Sequence, residues 1–304
     1  MRLGLRLPLS VPLPLSVRPA MRAARAPLAL RAYSDAPETS RAEKTMSRFW
    51  KEVTLAYQPA TADAADAFVV QLDKRSVRTP GGQVLRMPWN RPLLACLVAQ
   101  EWNEQTQVVK PHSLPMTSLA ARAIDGLADR ESRGTVEALL LRYFDTDAVC
   151  FHEAEPELLA ELQRERWDPL IAWAEETYGI AIARTAGLFP QAQEPAARTR
   201  LTHELMTLDA FDLAAFERAV MTSKSFVIAL ALQRRFINAE QAALAAEVEV
   251  ATQVHSWGAV EDSHDVDHAD LRRQLASAAC AMSKTPREAV DRFVAVLERR
   301  AGRL

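Results

Sequence analysis

Three histidines near the C-terminal end of the chain are the residues best suited to binding a metal ion. His264 and His268 are four residues apart, His255 precedes them, and several aspartates lie between. Two histidines with this spacing can bind one metal ion from the same face of a helix. The surrounding run 261–267 is strongly polar, so a solvated loop that caps the next helix is the simpler interpretation. A metal-assisted hydrolase that uses these histidines is kept as the alternative function.

The common motifs of nucleotide binding and nucleophilic catalysis are absent from the sequence. The chain has nine glycines, and neither G-x-G-x-x-G nor G-x-x-x-x-G-K-[ST] occurs. No G-x-S-x-G segment places a serine on a strained turn. The three cysteines, Cys96, Cys150 and Cys280, are too widely spaced for a metal knuckle or redox pair. These absences do not exclude every nucleotide site, but no pattern identifies a catalytic residue, a bound metal or a cofactor, and none is predicted.

A helix predicted over 239–256 displays polar and aromatic residues that could bind a partner. On a helical wheel that advances 100° per residue, one face carries Leu244, Val248, Ala251 and His255. The opposite face carries a carboxylate, an amide and an indole, from Glu249, Gln253 and Trp257. Such a row is typical of a docking surface, where an aromatic residue and a few polar anchors supply binding energy. A helix between two layers, with Trp257 in the core, explains the pattern equally well.

Two further residues of this segment have predicted roles. Glu247 falls inside the apolar arc of the wheel, which suggests a buried carboxylate with a charged partner. Gly258 follows Trp257 and is expected to end the helix.

Hydrophobic periodicity predicts strands first and helices afterwards. Three short strands, at 68–72, 76–79 and 84–87, are separated by turn residues and form an antiparallel meander. Trp102 lies on one helix face with Leu94 and Val98, which favours packing over binding. Residues 226–232 are apolar all round and favour a central helix over a buried strand. Residues 180–183 could be a short strand. The other helices are predicted at 113–128, 132–143, 157–178, 195–208, 211–222, 267–282 and 286–301.

These elements predict an α+β fold, with a small antiparallel β-rich N-terminal domain and a larger α-helical bundle domain. We place the first domain at 47–133 and the second at 134–304, after a polar linker at 34–46. A composition of 49% hydrophobic and 25% charged residues is typical of a globular protein with a sizeable core.

The first 33 residues are typical of a mitochondrial targeting presequence. They contain six arginines and no acidic residue, and 31–34 (RAYS) resembles a matrix-processing site cut after Tyr33. Without these arginines the chain has 31 basic and 39 acidic residues, a formal charge of −8. Neither nucleic acid nor anionic lipid is an expected partner of such a chain. No apolar stretch of about 18 residues occurs, so no membrane insertion is expected.

A series of short segments, in a specific order, resembles the mitochondrial ATP synthase F1 complex assembly factor 2 family. The segments are 48–53 (RFWKEV), 72–80 (LDKRSVRTP), 100–105 (QEWNEQ), 114–119 (LPMTSL), 123–125 (AID), 142–147 (RYFDTD), 167–170 (WDPL) and 253–258 (QVHSWG). They place Trp102, Asp125 and Gly258 among the motif residues.

The resemblance implies a chaperone in the mitochondrial matrix that performs no catalysis. It implies that the protein binds the free α subunit of F1 and prevents its aggregation until α pairs with a β subunit. The functionally important acid of the family lies four positions before the glutamine of Gln-x-x-x-Trp-Gly. That position is Glu249 here, with Glu247 as the other candidate, and Gln253 and Trp257 complete the implied partner-binding set.

Overall fold

The computed structural model describes residues 47–62, 64–187, 189–300 and 302. The presequence predicted at 1–33, its cut after Tyr33 and the linker at 34–46 lie outside the described residues. Within them, a four-stranded antiparallel sheet precedes twelve α-helices, which confirms the predicted fold class.

The sheet is built around its second strand. β2 (Ala67–Leu72) pairs along its length with β1 (Val53–Gln58), and its other edge pairs with β3 (Arg75–Ser76) and β4 (Arg86–Pro88). Asp73 and Lys74 connect β2 to β3 with positive φ angles of 47° and 72°, the backbone signature of a tight hairpin turn. The order differs from the predicted meander, because β4 pairs with β2 and not with β3, and β3 is only two residues long. An isolated bridge between Arg78 and Val84 is what the predicted pairing of 76–79 with 84–87 retains. The strand pattern also did not reveal β1, whose residues are mostly half-buried.

The helices follow the sheet without a further strand in the described residues. They are α1 (Pro92–Glu104), α2 (Pro115–Gly126), α3 (Arg130–Asp145), α4 (Glu157–Arg166), α5 (Asp168–Tyr178), α6 (Pro195–Thr207), α7 (Ala210–Ser223), α8 (Phe226–Gln233), α9 (Ala239–Ala246), α10 (Val248–Trp257), α11 (His264–Ala281) and α12 (Arg287–Arg300). The predicted domain boundary between 133 and 134 lies inside α3. Because α2 packs on α7 and α11, contacts cross that position, and the division into two domains stays a prediction.

The core of the helical part is formed by α7 and α8. All residues from Phe226 to Leu232 are buried, so α8 is the central helix that its apolar sequence predicts. Ser225 accepts a hydrogen bond from the Ile228 N–H at the start of α8. The buried Asp147 carboxylate accepts another from the Val227 N–H at 2.9 Å. Burial, opposed by hydrogen bonds including one from Ser225, raises the pKa of Asp147 to about 6.

Two helices predicted as continuous are broken in the structure, and the two breaks lie against each other. The predicted helix over 157–178 is divided at Trp167, because Pro169 fits only the first turn of a new helix. The predicted helix over 239–256 is divided at Glu247. Arg166 and the indole N–H of Trp167 donate hydrogen bonds to the carbonyls of residues 244 and 245, at 3.0 and 2.8 Å. They satisfy carbonyl groups that the end of α9 leaves without helical partners.

The strand predicted at 180–183 is also wrong. Its backbone forms no ladder, because side chains take the place of a neighbouring strand. The Ile182 N–H donates to Glu175 Oε1 and the Ala183 N–H donates to Gln193 Oε1, both at 2.9 Å.

Candidate partner-binding surface

The predicted row on α10 faces solvent along its whole length. Glu249 and Gln253 are exposed, and Trp257 has 82% of its surface accessible. The core hypothesis for Trp257 is therefore wrong. The three residues follow one another at intervals of four on a single helix, which places them on one face. The structure thus brings a carboxylate, an amide and an indole together on the molecular surface.

The residues that α10 buries differ from those on the apolar side of the predicted helical wheel, because α10 begins only after the break at Glu247. Val248 and Thr252 are its buried residues, whereas His255, predicted on the apolar side, is exposed. α10 packs against α4 on this narrow side. At its end, Gly258 has φ of 85° and its N–H donates to the Val254 carbonyl at 2.8 Å. A positive φ is strained for other residues, which explains the glycine.

Glu247 is buried and paired, as its position on the wheel suggested. Its side chain is 8% exposed and accepts a hydrogen bond from Arg272 Nη1 at 3.0 Å, and it also contacts His268. Hydrogen bonds to Glu240 and Glu247 raise the pKa of Arg272 above its ordinary value. Of the two candidate acids, Glu249 is therefore the one that makes no ion pair within the described part of the chain and can meet a partner without breaking one.

We expect Glu247→Gln to lower the free energy of unfolding by about 1.5–3 kcal/mol, because it removes charge-assisted hydrogen bonds. Chemical denaturation followed by circular dichroism measures the change. Glu249→Gln serves as the exposed control and should stay within about 0.5 kcal/mol of wild type. Equal stability of the two variants would contradict a structural role for Glu247.

The three histidines of the metal hypothesis have separate environments. His268 contacts Glu247, His264 Nδ1 accepts a hydrogen bond from the Val260 N–H at 2.9 Å, and His255 projects from α10. Among the described residues, no three His, Cys, Asp or Glu side chains gather as a metal site would require. The geometry therefore gives no support to a hydrolase built on these histidines.

An open groove of about 610 Å³ runs beside the row, between α10, α11 and the end of α7. Val250 and Gln253 line one wall, and Asp267 and Leu271 line the other. Lys224, in a left-handed backbone conformation, lies at the end of α7. The groove is thus continuous with the exposed face of α10 through Gln253.

The predicted motif residues Trp102 and Asp125 are far from α10 in the sequence and make structural contacts. Trp102 is buried, packs edge-on against Trp50 at 5.3 Å and donates its indole N–H to Thr117 Oγ1 at 3.2 Å. Asp125 accepts hydrogen bonds from Thr79 Oγ1 at 2.7 Å and the Gly81 N–H at 2.8 Å. These contacts fasten α1 and the β3–β4 turn to α2.

Sequence patterns missed the apolar part of the candidate surface. Val260 and Val266 are each 62% exposed, in the connection after α10 and the first turn of α11. An isolated valine in a polar run carries no periodic signal, so only the folded chain reveals them. The sequence also gave no indication that Arg91, a charged residue, is fully buried.

No helix in the described part of the chain has the length and apolar character needed to cross a membrane.

Comparisons with known proteins identify the family. A family model described as "ATP12 chaperone protein" matches residues 47–175. Protein atp12, mitochondrial, of Schizosaccharomyces pombe is 33% identical over 255 residues, covering 81% of this chain and 86% of that protein. Protein ATP12, mitochondrial, of Saccharomyces cerevisiae is 32% identical over 286 residues, covering 81% of this chain and 87% of that protein.

A solved structure agrees with these sequence relatives. The crystal structure of Atp12 from Paracoccus denitrificans has a TM-score of 0.68 to this chain at 30% identity, covering 79% of this chain and 98% of that one. Both yeast relatives are named as mitochondrial proteins, which agrees with the predicted organelle. The family indicated by the ordered motifs is confirmed as well: the chain belongs to the ATP12 family of assembly chaperones.

Proposed function

We propose that this protein assists assembly of the mitochondrial ATP synthase by binding the free α subunit of F1 and preventing its aggregation until α pairs with β. Family membership supports the role in assembly. The observation that carries the proposed mode of binding is the exposed row of Glu249, Gln253 and Trp257 on α10. A largely exposed tryptophan beside polar anchors is typical of a binding surface.

The physical task of such a chaperone is to cover a surface that another subunit will later occupy. A subunit made alone exposes apolar surface meant for its neighbour, and this surface drives aggregation. Trp257 supplies apolar contact area, whereas Glu249 selects the orientation of a partner that presents a basic group. Release requires no bond-breaking step, because the β subunit can displace the chaperone by mass action. We accordingly propose that the protein is not an enzyme.

Light scattering of the purified free α subunit tests this function. We expect the protein to suppress aggregation at near-equimolar concentration and to co-purify with α. Absence of both effects would reject the proposal. Stoichiometric retention in finished ATP synthase would also contradict it, because that result would indicate a permanent subunit.

Glu249→Lys should weaken binding to the α subunit by at least about tenfold, because it reverses the charge at the centre of the contact. Stability should fall by less than about 1 kcal/mol. Glu249 is exposed, so the substitution removes only the favourable interaction of a negative charge with the first turn of α10. Calorimetric titration and thermal melting measure the two effects.

The matched control is Glu131→Lys. Glu131 is also an exposed glutamate at the second position of a helix, α3, and makes no ion pair among the described residues. It should show the same small change in stability and normal binding. If both variants bind α as wild type does, the assignment of Glu249 is wrong.

A further inference from the structure

The exposed apolar residues of the described chain are concentrated after the start of α10. Of thirteen large apolar side chains that are exposed in the described residues, four lie within 250–266: Val250, Trp257, Val260 and Val266. Exposed apolar side chains that are flanked by polar residues are typical of an interaction site. We call residues 249–267 the acidic α10–α11 surface.

Hydrogen bonds fix the connection that carries these side chains. The Val260 N–H donates to His264 Nδ1 at 2.9 Å, and the His264 N–H donates back to the Val260 carbonyl at 3.1 Å. The Asp267 N–H donates to the Ser263 carbonyl at 3.0 Å, which closes the first turn of α11. An ordered connection loses little entropy on binding, so its apolar groups are prepared for contact.

The charge of this segment has one sign. Residues 247–270 contain seven acidic residues and no lysine or arginine. Glu247 pairs with Arg272 and Asp270 pairs with Arg273, so these two charges are compensated within the protein. The five exposed acids that make no ion pair among the described residues are Glu249, Glu261, Asp262, Asp265 and Asp267.

We infer that the acidic α10–α11 surface docks onto a patch of the free α subunit whose apolar side chains are surrounded by lysine and arginine. The inference rests on the proposed function and adds the chemistry of the contact. Apolar groups at Trp257, Val260 and Val266 supply the buried area, and the surrounding acids attract a basic partner over a distance. Charge complementarity selects this occupant, because the same acids repel nucleic acid and anionic lipid.

The rate of association with purified α subunit tests the electrostatic part. Between about 0.05 and 0.5 M salt, we expect the association rate of wild type to fall at least about tenfold, because salt screens steering. The variant Glu261→Gln, Asp262→Asn and Asp265→Asn should associate about tenfold more slowly at low salt and lose most of this dependence. Asparagine suits position 262, where φ is 64°.

A control removes the same number of charges elsewhere. Glu52→Gln, Glu131→Gln and Glu288→Gln change three exposed acids on other elements, two of them in first turns of helices. This variant should keep the association rate and most of the salt dependence of wild type. Equal slowing of association by the two triple variants, or an association rate that does not depend on salt, would overturn the inference. The proposed function would still stand in that case, provided that wild type binds α. If wild type does not bind α at all, both proposals fail.

The apolar part of the proposed contact is tested by the dissociation rate. Val260→Ser with Val266→Ser should raise the dissociation rate several-fold and leave the association rate nearly unchanged, because short-range contacts act after encounter. Thermal melting should match wild type, since both side chains are exposed. An unchanged dissociation rate would show that these valines do not contact the α subunit.

Discussion

Arg91→Met is expected to lower the free energy of unfolding by about 3–5 kcal/mol. The Arg91 side chain is fully buried and its guanidinium lies 2.7 Å from Asp209 and 2.8 Å from Asp212. It also donates to the Ala281 carbonyl, so it joins the start of α1 to the start of α7 and the end of α11. Methionine fills similar space, but Lys284, at 2.6 Å, is then the one cation that pairs with the nearly buried Asp212 among the described residues.

Chemical denaturation at several pH values tests this prediction. Burial raises the pKa of Asp209, but Arg91 and hydrogen bonds outweigh burial and hold it well below its ordinary value. The stability that the Arg91–Asp209 ion pair contributes is therefore present above about pH 4 and is lost as the pH falls further. The loss caused by Arg91→Met should accordingly shrink in acid.

Two additional variants separate the charge of Arg91 from its shape. Arg91→Lys keeps the charge without the planar fork and should be less destabilising than Arg91→Met. Adding Asp212→Asn to Arg91→Met should restore part of the loss, because the unpaired buried charge is removed. Wild-type stability of Arg91→Met would contradict the account of this cluster.

Trp102→Arg is expected to prevent stable folding. Removal of a buried tryptophan alone costs about 3–5 kcal/mol, and a guanidinium in its place would lose its hydration where the indole now packs against Trp50. The total is comparable to the stability of a typical domain. Near-ultraviolet circular dichroism and sensitivity to protease measure the loss of the folded state.

Trp102→Phe provides a variant that should remain folded. It keeps an aromatic ring beside Trp50 but loses the hydrogen bond to Thr117 Oγ1, so a loss of about 1–2 kcal/mol is expected. Normal solubility and a wild-type melting temperature of Trp102→Arg would instead place residue 102 outside the core.

The sequence predicted features that depend on local pattern. The uniformly apolar run in α8 and the β-branched and aromatic run in β2, bounded by turn residues, identify their own elements. Glu247 stood out because a carboxylate inside an apolar arc needs a partner. Its partner Arg272 lies 25 residues further along the chain, and no local rule indicates that distance.

The predictions from sequence are wrong where distant parts of the chain determine the local structure. No proline or glycine near Glu247 indicates a break in the helix. The break is instead stabilised by hydrogen bonds from Arg166 and Trp167 to the end of α9. The exposure of Trp257 was undecided in the sequence, since a helical wheel shows which residues share a face but not which face is buried. Only packing of α10 against α4 settles that question.

The proposed chaperone function requires that the exposed face of α10 contacts the free α subunit inside the organelle. Its most direct test is photocrosslinking in intact mitochondria from a photoreactive residue in place of Gln253, with a matching residue at Glu131 on α3. We predict that position 253 forms an adduct with α subunit that is not yet assembled into F1, whereas position 131 forms little or none. Adducts from position 253 that contain other proteins but no α subunit would contradict the account.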